Sequence, residues 1–146
     1  MYKNVLIATD GSELATKGLE CGLALAGGCG AKATIVFVTE PWVAFAATGD
    51  FSGSFPIEEY EESVAQGAES VLGSAKAKAD SAGVPCAVLH VKDQYPAEGI
   101  LEAARANGCD LIVMASHGRR GVTRLMLGSQ ANRVVTHSTM PVLIYR

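Results

Sequence analysis

Five short runs rich in β-branched residues, each separated from the next by a stretch of helical periodicity, constrain this chain more than anything else in it. The runs are 4–9, 33–39, 85–91, 111–115 and 142–145. Strands that are apolar along their whole length, with no alternation between faces, belong in a parallel sheet covered on both sides. Between them, small or apolar residues recur at Leu14, Gly18, Cys21, Gly22, Leu25 and Cys29, and again at Ile57, Tyr60, Val64, Ala68, Val71, Ala75, Ala79 and Ala82. That spacing predicts two amphipathic helices, with Gly30 and Gly83 as stops. Pro96 opens a third helix that ends at Asn107-Gly108, and Ser129, a plausible N-cap, opens a fourth running to about His137. The order is therefore β-α-β-α-β-α-β-α-β. Right-handed crossovers favour a Rossmann-like, doubly wound sheet of strand order 3-2-1-4-5 with helices on both faces.

One domain over residues 1–146 suffices, since a chain of this length buries about 68–70% of the surface it exposes when unfolded. The formal net charge of −3 offers no global attraction to nucleic acid or to an anionic membrane. No apolar run approaches the length of a membrane span or a signal sequence. Cys21, Cys29, Cys86 and Cys109 form no CxxC pair and sit among small apolar neighbours, which predicts buried free thiols and a reducing, cytoplasmic setting.

In the predicted sheet, strands one and four are neighbours whose connections leave to opposite sides, and ligands of such sheets bind in the crevice that results. Thr9-Asp10-Gly11 ends the first strand and Ala115-Ser116-His117-Gly118 ends the fourth. Further on, Gly128-Ser129 precedes a helix, where unpaired N–H groups and the positive end of the dipole favour a phosphate. Arg119, Arg120 and Arg124 lie between, three guanidinium groups within six positions of an acidic chain, and read as mobile screening charges. Asp10 fits either a ligand contact or an N-cap or turn role, and His117 fits either a ligand contact or a brace for its loop. Residues 40–56, with Trp42, Phe45, Phe51 and Phe55 among glycines and serines, read as a flap-like loop too broken for a regular element, fit to cover the crevice, to bind a partner, or simply to fold its aromatics back on the domain.

Over its whole length the chain resembles the universal stress protein family. The resemblance is carried by Lys3 to Ser12, by Val36-Phe37-Val38, by Ser116 to Gly121, by Leu127-Gly128-Ser129 and by Pro141 to Ile144. ATP-binding members carry Gly-x2-Gly-x9-Gly-Ser/Thr. Here Gly118 and Gly128-Ser129 fill the later positions, and Ala115 holds the first. A Cβ at Ala115 costs about 1–2 kcal/mol if the backbone must be left-handed there, and little if it is extended.

The resemblance implies ATP as the ligand, with Mg or Mn bridging the phosphates. It implies Asp10 near the ribose or adenine, Ala8 and Val38 flanking the base, Met114 and His117 lining the nucleotide, and phosphates on Gly118, Gly128, Ser129 and Gln130. Thr9, Ala115, Ser116 and Arg119 complete the expected binding set. It also implies a homodimer, in keeping with a C-terminal edge strand at 141–145 free to pair across a two-fold axis. No paired carboxylates, Ser-His-Asp set, Walker lysine or metal-ligand cluster accompanies these residues, so no catalytic residue or protein metal site is assigned. Binding with slow or absent hydrolysis, as in a stress-response regulator, is the expected behaviour. The alternatives are a dimeric interaction protein that binds no nucleotide, and a slow ATPase or nucleotidyl transferase using Asp10 as metal ligand or base.

Overall fold

The computed structural model describes residues 1–47, 56–119 and 126–146. The elements are β1 (Asn4–Ala8), α1 (Glu13–Cys29), β2 (Lys32–Val38), α2 (Trp42–Ala46), α3 (Ile57–Ser81), β3 (Cys86–Val91), α4 (Pro96–Ala106), β4 (Leu111–Ala115), α5 (Ser129–His137) and β5 (Val142–Tyr145). All strand pairs are parallel and the sheet order is β3-β2-β1-β4-β5, as the sequence predicts. The central strands are sealed from both sides: Val5, Leu6, Ile7, Ile112 and Val113 are all fully buried. Alternate residues feed two cores. Val5, Ile7, Ile35 and Val113 pack with α1 and α3, while Leu6, Val36, Ile112 and Met114 pack with α4 and α5.

Local chemistry fixes the element ends. Ser12 caps α1 by accepting from the Ala15 N–H at 3.3 Å, a bond whose loss costs about 1 kcal/mol. Gly30 ends α1 in the left-handed conformation at φ 66°, where its lack of a Cβ removes the penalty. At the base of the sheet the Asp110 carboxylate accepts from the main-chain N–H groups of Lys3 and Asn4 at 2.8 and 3.1 Å, tying the start of β1 to that of β4. Burial pushes the Asp110 carboxyl up, but those two hydrogen bonds and the Lys3 charge outweigh it, and the net shift is downward.

Three expectations need correction. The buried stripe of α1 is Ala15, Gly18, Leu19, Gly22, Leu23 and Ala26, rotated about one residue from the predicted one. The reason lies at Gly22: a Cβ there would sit 2.9 Å from Ile7 Cδ1, so the helix lies closest to the sheet along its glycines, and the larger side chains flank that line. Ser129 is the first helical residue of α5, with Gly128 as the cap and no side-chain capping bond. Part of the expected loop at 40–56 is regular, since Trp42–Ala46 form α2; residues 48–55, with Phe51 and Phe55, lie outside the described residues. Of the cysteines, all free, Cys109 is buried and the other three are half-buried.

Candidate functional site

The two turns that end β1 and β4 meet at the carboxyl edge of the sheet. Asp10 joins them: its Oδ1 accepts from the Ser12 N–H at 2.9 Å within its own turn, and its Oδ2 accepts from the Arg119 N–H at 2.8 Å across the crevice. Gly11 between them has φ 79° and tucks beneath the Arg119 guanidinium, 3.2 Å from where a Cβ would be. On the far side, the Gly128 N–H donates to the Ser116 carbonyl at 2.9 Å, bringing the start of α5 back to the end of β4. Ser116 Oγ and His117 Nδ1 lie 3.1 Å apart, so His117 both braces this turn and faces the crevice.

Behind these turns lies a cavity of about 650 Å³, within the usual range for small-molecule sites. Ala8, Thr9, Asp10, Val38, Met114, Ala115, Ser116, His117, Gly118, Arg119, Gly128, Ser129 and Gln130 all line it. Every described residue singled out from the sequence is thus brought to one place; Arg120 and Arg124 lie outside the described residues. Ala115 is the last residue of β4, and Asp93 is the only described non-glycine residue with positive φ. The left-handed penalty therefore does not arise at Ala115.

The two ends of the cavity differ chemically. At one end β2 outruns β1. The Thr9 N–H donates to the Val36 carbonyl at 3.0 Å, and the Thr39 N–H donates to the Val91 carbonyl of β3 at 2.9 Å. Alternation along β2 then turns the main-chain N–H and C=O of Val38 toward β1, one register beyond its end, where no described group takes them up. Val36 and Ile100 give this end apolar walls. At the other end the first-turn N–H groups of α5 have no intrahelical acceptor and no side-chain cap. Gln130 is braced there, its Oε1 accepting from the Ala97 N–H at the start of α4 at 3.1 Å.

Sequence reasoning reached one wall only in part: Phe45 belongs to the stretch read as a flap, whereas Tyr60 and Val64 read as core. Phe45, Tyr60 and Val64 line the cavity from α2 and the first turns of α3. Tyr60 Oη donates to the Glu40 carbonyl at 2.7 Å, and its ring stacks on Phe45 at 4.7 Å between centroids. Tyr60 and Val64 continue the periodic stripe of α3, which reads as core. Only Ala68, Leu72, Ala75 and Ala79 of that helix are buried, because its first turns overhang the sheet edge and look into the crevice. No length of periodic sequence reveals where the sheet beneath it stops.

A family model described as the universal stress protein family matches residues 1–146. A universal stress protein from Thermus aquaticus is 36% identical over 146 residues, covering all of both chains. Among solved structures, the hypothetical protein MJ0577 of Methanocaldococcus jannaschii superposes with a TM-score of 0.81 at 25% identity, covering 99% of this chain and 96% of that one. Two more share the fold: a universal stress protein solved with cAMP (TM-score 0.72, 22% identity, 99% and 97% covered) and one from Archaeoglobus fulgidus solved with dAMP (TM-score 0.71, 18% identity, 99% and 98% covered). With the predicted sheet order observed and the family model matched from end to end, the chain belongs to the universal stress protein family.

Proposed function

We propose that this protein binds an adenine nucleotide, ATP foremost, in the crevice between β1 and β4, and that occupancy regulates its contacts in a stress response. The observation that carries this reading is the pairing of unlike ends in one cavity: a main-chain donor and acceptor at Val38 that no described group takes up, and first-turn amides at Ser129 and Gln130 with no partner among the described residues. A strand N–H beside a strand C=O matches the N1 acceptor and N6 amino donor of adenine, and opposes the N1–H and O6 of guanine. The α5 amides suit phosphate oxygens. Family structures solved with cAMP and dAMP support an adenine ligand.

Ala8 and Val38 would flank the base, Asp10 would sit near the ribose, Met114 and His117 would line the nucleotide, and the phosphates would lie against Gly118, Gly128, Ser129 and Gln130. Among the described residues no three His, Cys, Asp or Glu side chains converge as a metal cage. The family resemblance implies a divalent cation bound together with the phosphates, and no step is assigned to it. Asp10 has both oxygens engaged by main-chain amides, which favours binding over a catalytic-base role.

Several charge-assisted hydrogen bonds of about 1.5–3 kcal/mol each, against an association cost of about 4–15 kcal/mol, suit an affinity of micromolar order. Titration calorimetry with ATP, GTP and adenosine tests the reading. Heat with ATP and weaker heat with GTP are expected, and no heat with ATP ends the proposal.

A homodimer through β5 belongs to the same reading. Ser116 and Ile112 donate to the carbonyls of Tyr145 and Pro141, so alternation turns the N–H and C=O groups of Val142 and Ile144 to the open edge. Sedimentation equilibrium is expected to give twice the chain mass. No described helix is long and apolar enough to cross a membrane. A cytoplasmic protein without nucleic-acid partners is the setting proposed for it.

A further inference from the structure

We infer that Asp10 is a positioning residue, a clasp whose carboxylate locks the Gly118–Arg119 backbone onto the β1 turn, and that Gly118 is glycine to leave room for that carboxylate. Three observations converge on this. The Arg119 N–H, 109 residues away in sequence, donates to Asp10 Oδ2 at 2.8 Å. A Cβ on Gly118 would run into that same oxygen, with Asp10 Cγ at 3.5 Å, and among the described residues beyond its two chain neighbours no other heavy atom lies within 4 Å of it. Gly118 is also absent from the residues with positive φ, so its backbone conformation is open to any amino acid. Among the described residues, neither left-handed strain nor crowding by another group accounts for glycine here. The nearest object is one carboxylate oxygen, and that oxygen holds the next residue's amide.

The second carboxylate oxygen serves the Ser12 N–H, so a single side chain sets both glycine-bearing turns in one geometry. With its partner amide taken, Arg119 sends its guanidinium back over Gly11. The wall of the cavity at this point is therefore held by bonds of the chain to itself, and such preorganisation strengthens binding by reducing what must be ordered. The consequence for affinity rests on the nucleotide reading above; the clasp itself does not.

The test is a double-mutant cycle on Asp10→Ala, Gly118→Ala and the pair together. Two readouts are taken: the chemical shift and hydrogen-exchange protection of the Arg119 amide in the ligand-free protein, and the ATP and adenosine affinities by calorimetry. Either single change is expected to strip the Arg119 amide of protection and to weaken ATP about tenfold, the worth of one charge-assisted hydrogen bond. The double variant is expected to match Asp10→Ala, because the added methyl then meets no oxygen. Losses that multiply, to about a hundredfold in the pair, would make Gly118 important for its own approach to the ligand and overturn the inference. So would an Arg119 amide unchanged in Asp10→Ala. If the parent protein binds neither ATP nor adenosine, the nucleotide reading fails while the amide readout still decides the clasp. Should Asp10→Ala not fold, Asp10→Asn keeps the volume with one acceptor oxygen for two amides, so one of the Ser12 and Arg119 amides is expected to lose protection, and full protection of both would count against the clasp.

Discussion

Ser129→Asp separates what the phosphate end of the cavity does for the ligand from what it does for the fold. Ser129 is exposed, stands at the first position of α5, and makes no side-chain capping bond. A carboxylate there faces the positive end of the helix dipole and is worth about 0.3–1 kcal/mol to the folded state. For a chain of this size that raises Tm by about 1–4 °C. The same carboxylate would meet the phosphates of a bound nucleotide. One pair of like charges at about 4 Å costs about 1 kcal/mol in water and about 4 kcal/mol at an effective dielectric of about 20. The exposure of the site favours the lower half of that range, about 1–2.5 kcal/mol, which corresponds to a loss of about fivefold to sixtyfold in ATP affinity. Adenosine, with no phosphate, is expected to bind as it does to the parent. Calorimetry with ATP and adenosine, together with a thermal melt, reads all three quantities. If Ser129→Asp melts higher and binds ATP undiminished, the phosphates do not lie at α5 and the assignment of the two cavity ends is wrong. Gly128→Val is a poorer probe, because a Cβ on Gly128 would sit 2.7 Å from the Ser116 carbonyl and would disturb the turn with or without ligand.

Tyr60→Phe removes the hydrogen bond to the Glu40 carbonyl but keeps the ring on Phe45, and is expected to cost about 0.5–1.5 kcal/mol in a denaturant melt. His90, stacked on Phe37 and 2.9 Å from Thr39 Oγ1, has its imidazole pushed below the ordinary value, first by burial and then by the Lys92 charge. Below about pH 6.5 the unfolded chain holds the extra proton, so the parent loses stability as pH falls through that region and on to the lowered native value. His90→Gln is expected to flatten that part of the stability-versus-pH curve, and an unchanged slope would refute it. The Asp110 carboxyl, also depressed, contributes stability that is complete above about pH 3.9 and is lost as pH falls through its native value. Asp110→Asn is therefore expected to be less stable than the parent at neutral pH and to converge on it in acid.

The sheet was readable from the sequence because continuous burial leaves continuous apolar runs, and Val5 to Ile7 and Leu111 to Val113 carry that mark without ambiguity. The crevice was readable because strand order fixes where connections diverge, and Asp10 and His117 could be set beside it from chain order alone. The phase of α1 was not, since periodicity shows which residues share a face but not that Gly18 and Gly22 would be the closest approach. Nor was the aromatic wall: Tyr60 reads as a core residue until the edge of the sheet is known. The role of Gln130 was half visible. Its place at the start of α5 follows from the glycine that precedes it, while its bond to the Ala97 N–H depends on how α4 and α5 converge.

The glycines of this site carry a different message in three dimensions from the one they carry in sequence. As a motif they suggest room for phosphate. In the structure a Cβ on Gly11 would meet Val71 Cγ2 at 2.7 Å and the Arg119 guanidinium, a Cβ on Gly118 would meet the Asp10 carboxylate, and a Cβ on Gly128 would meet the Ser116 carbonyl. All three are places where the protein closes on itself. The cavity wall is therefore built by contacts of the chain with itself, and Ala115 fits among them because it completes a strand and no turn begins until Ser116. Alanine at the first motif position then leaves intact both features that would recognise a nucleotide, the Val38 main chain and the α5 amides, because neither depends on that position lacking a side chain.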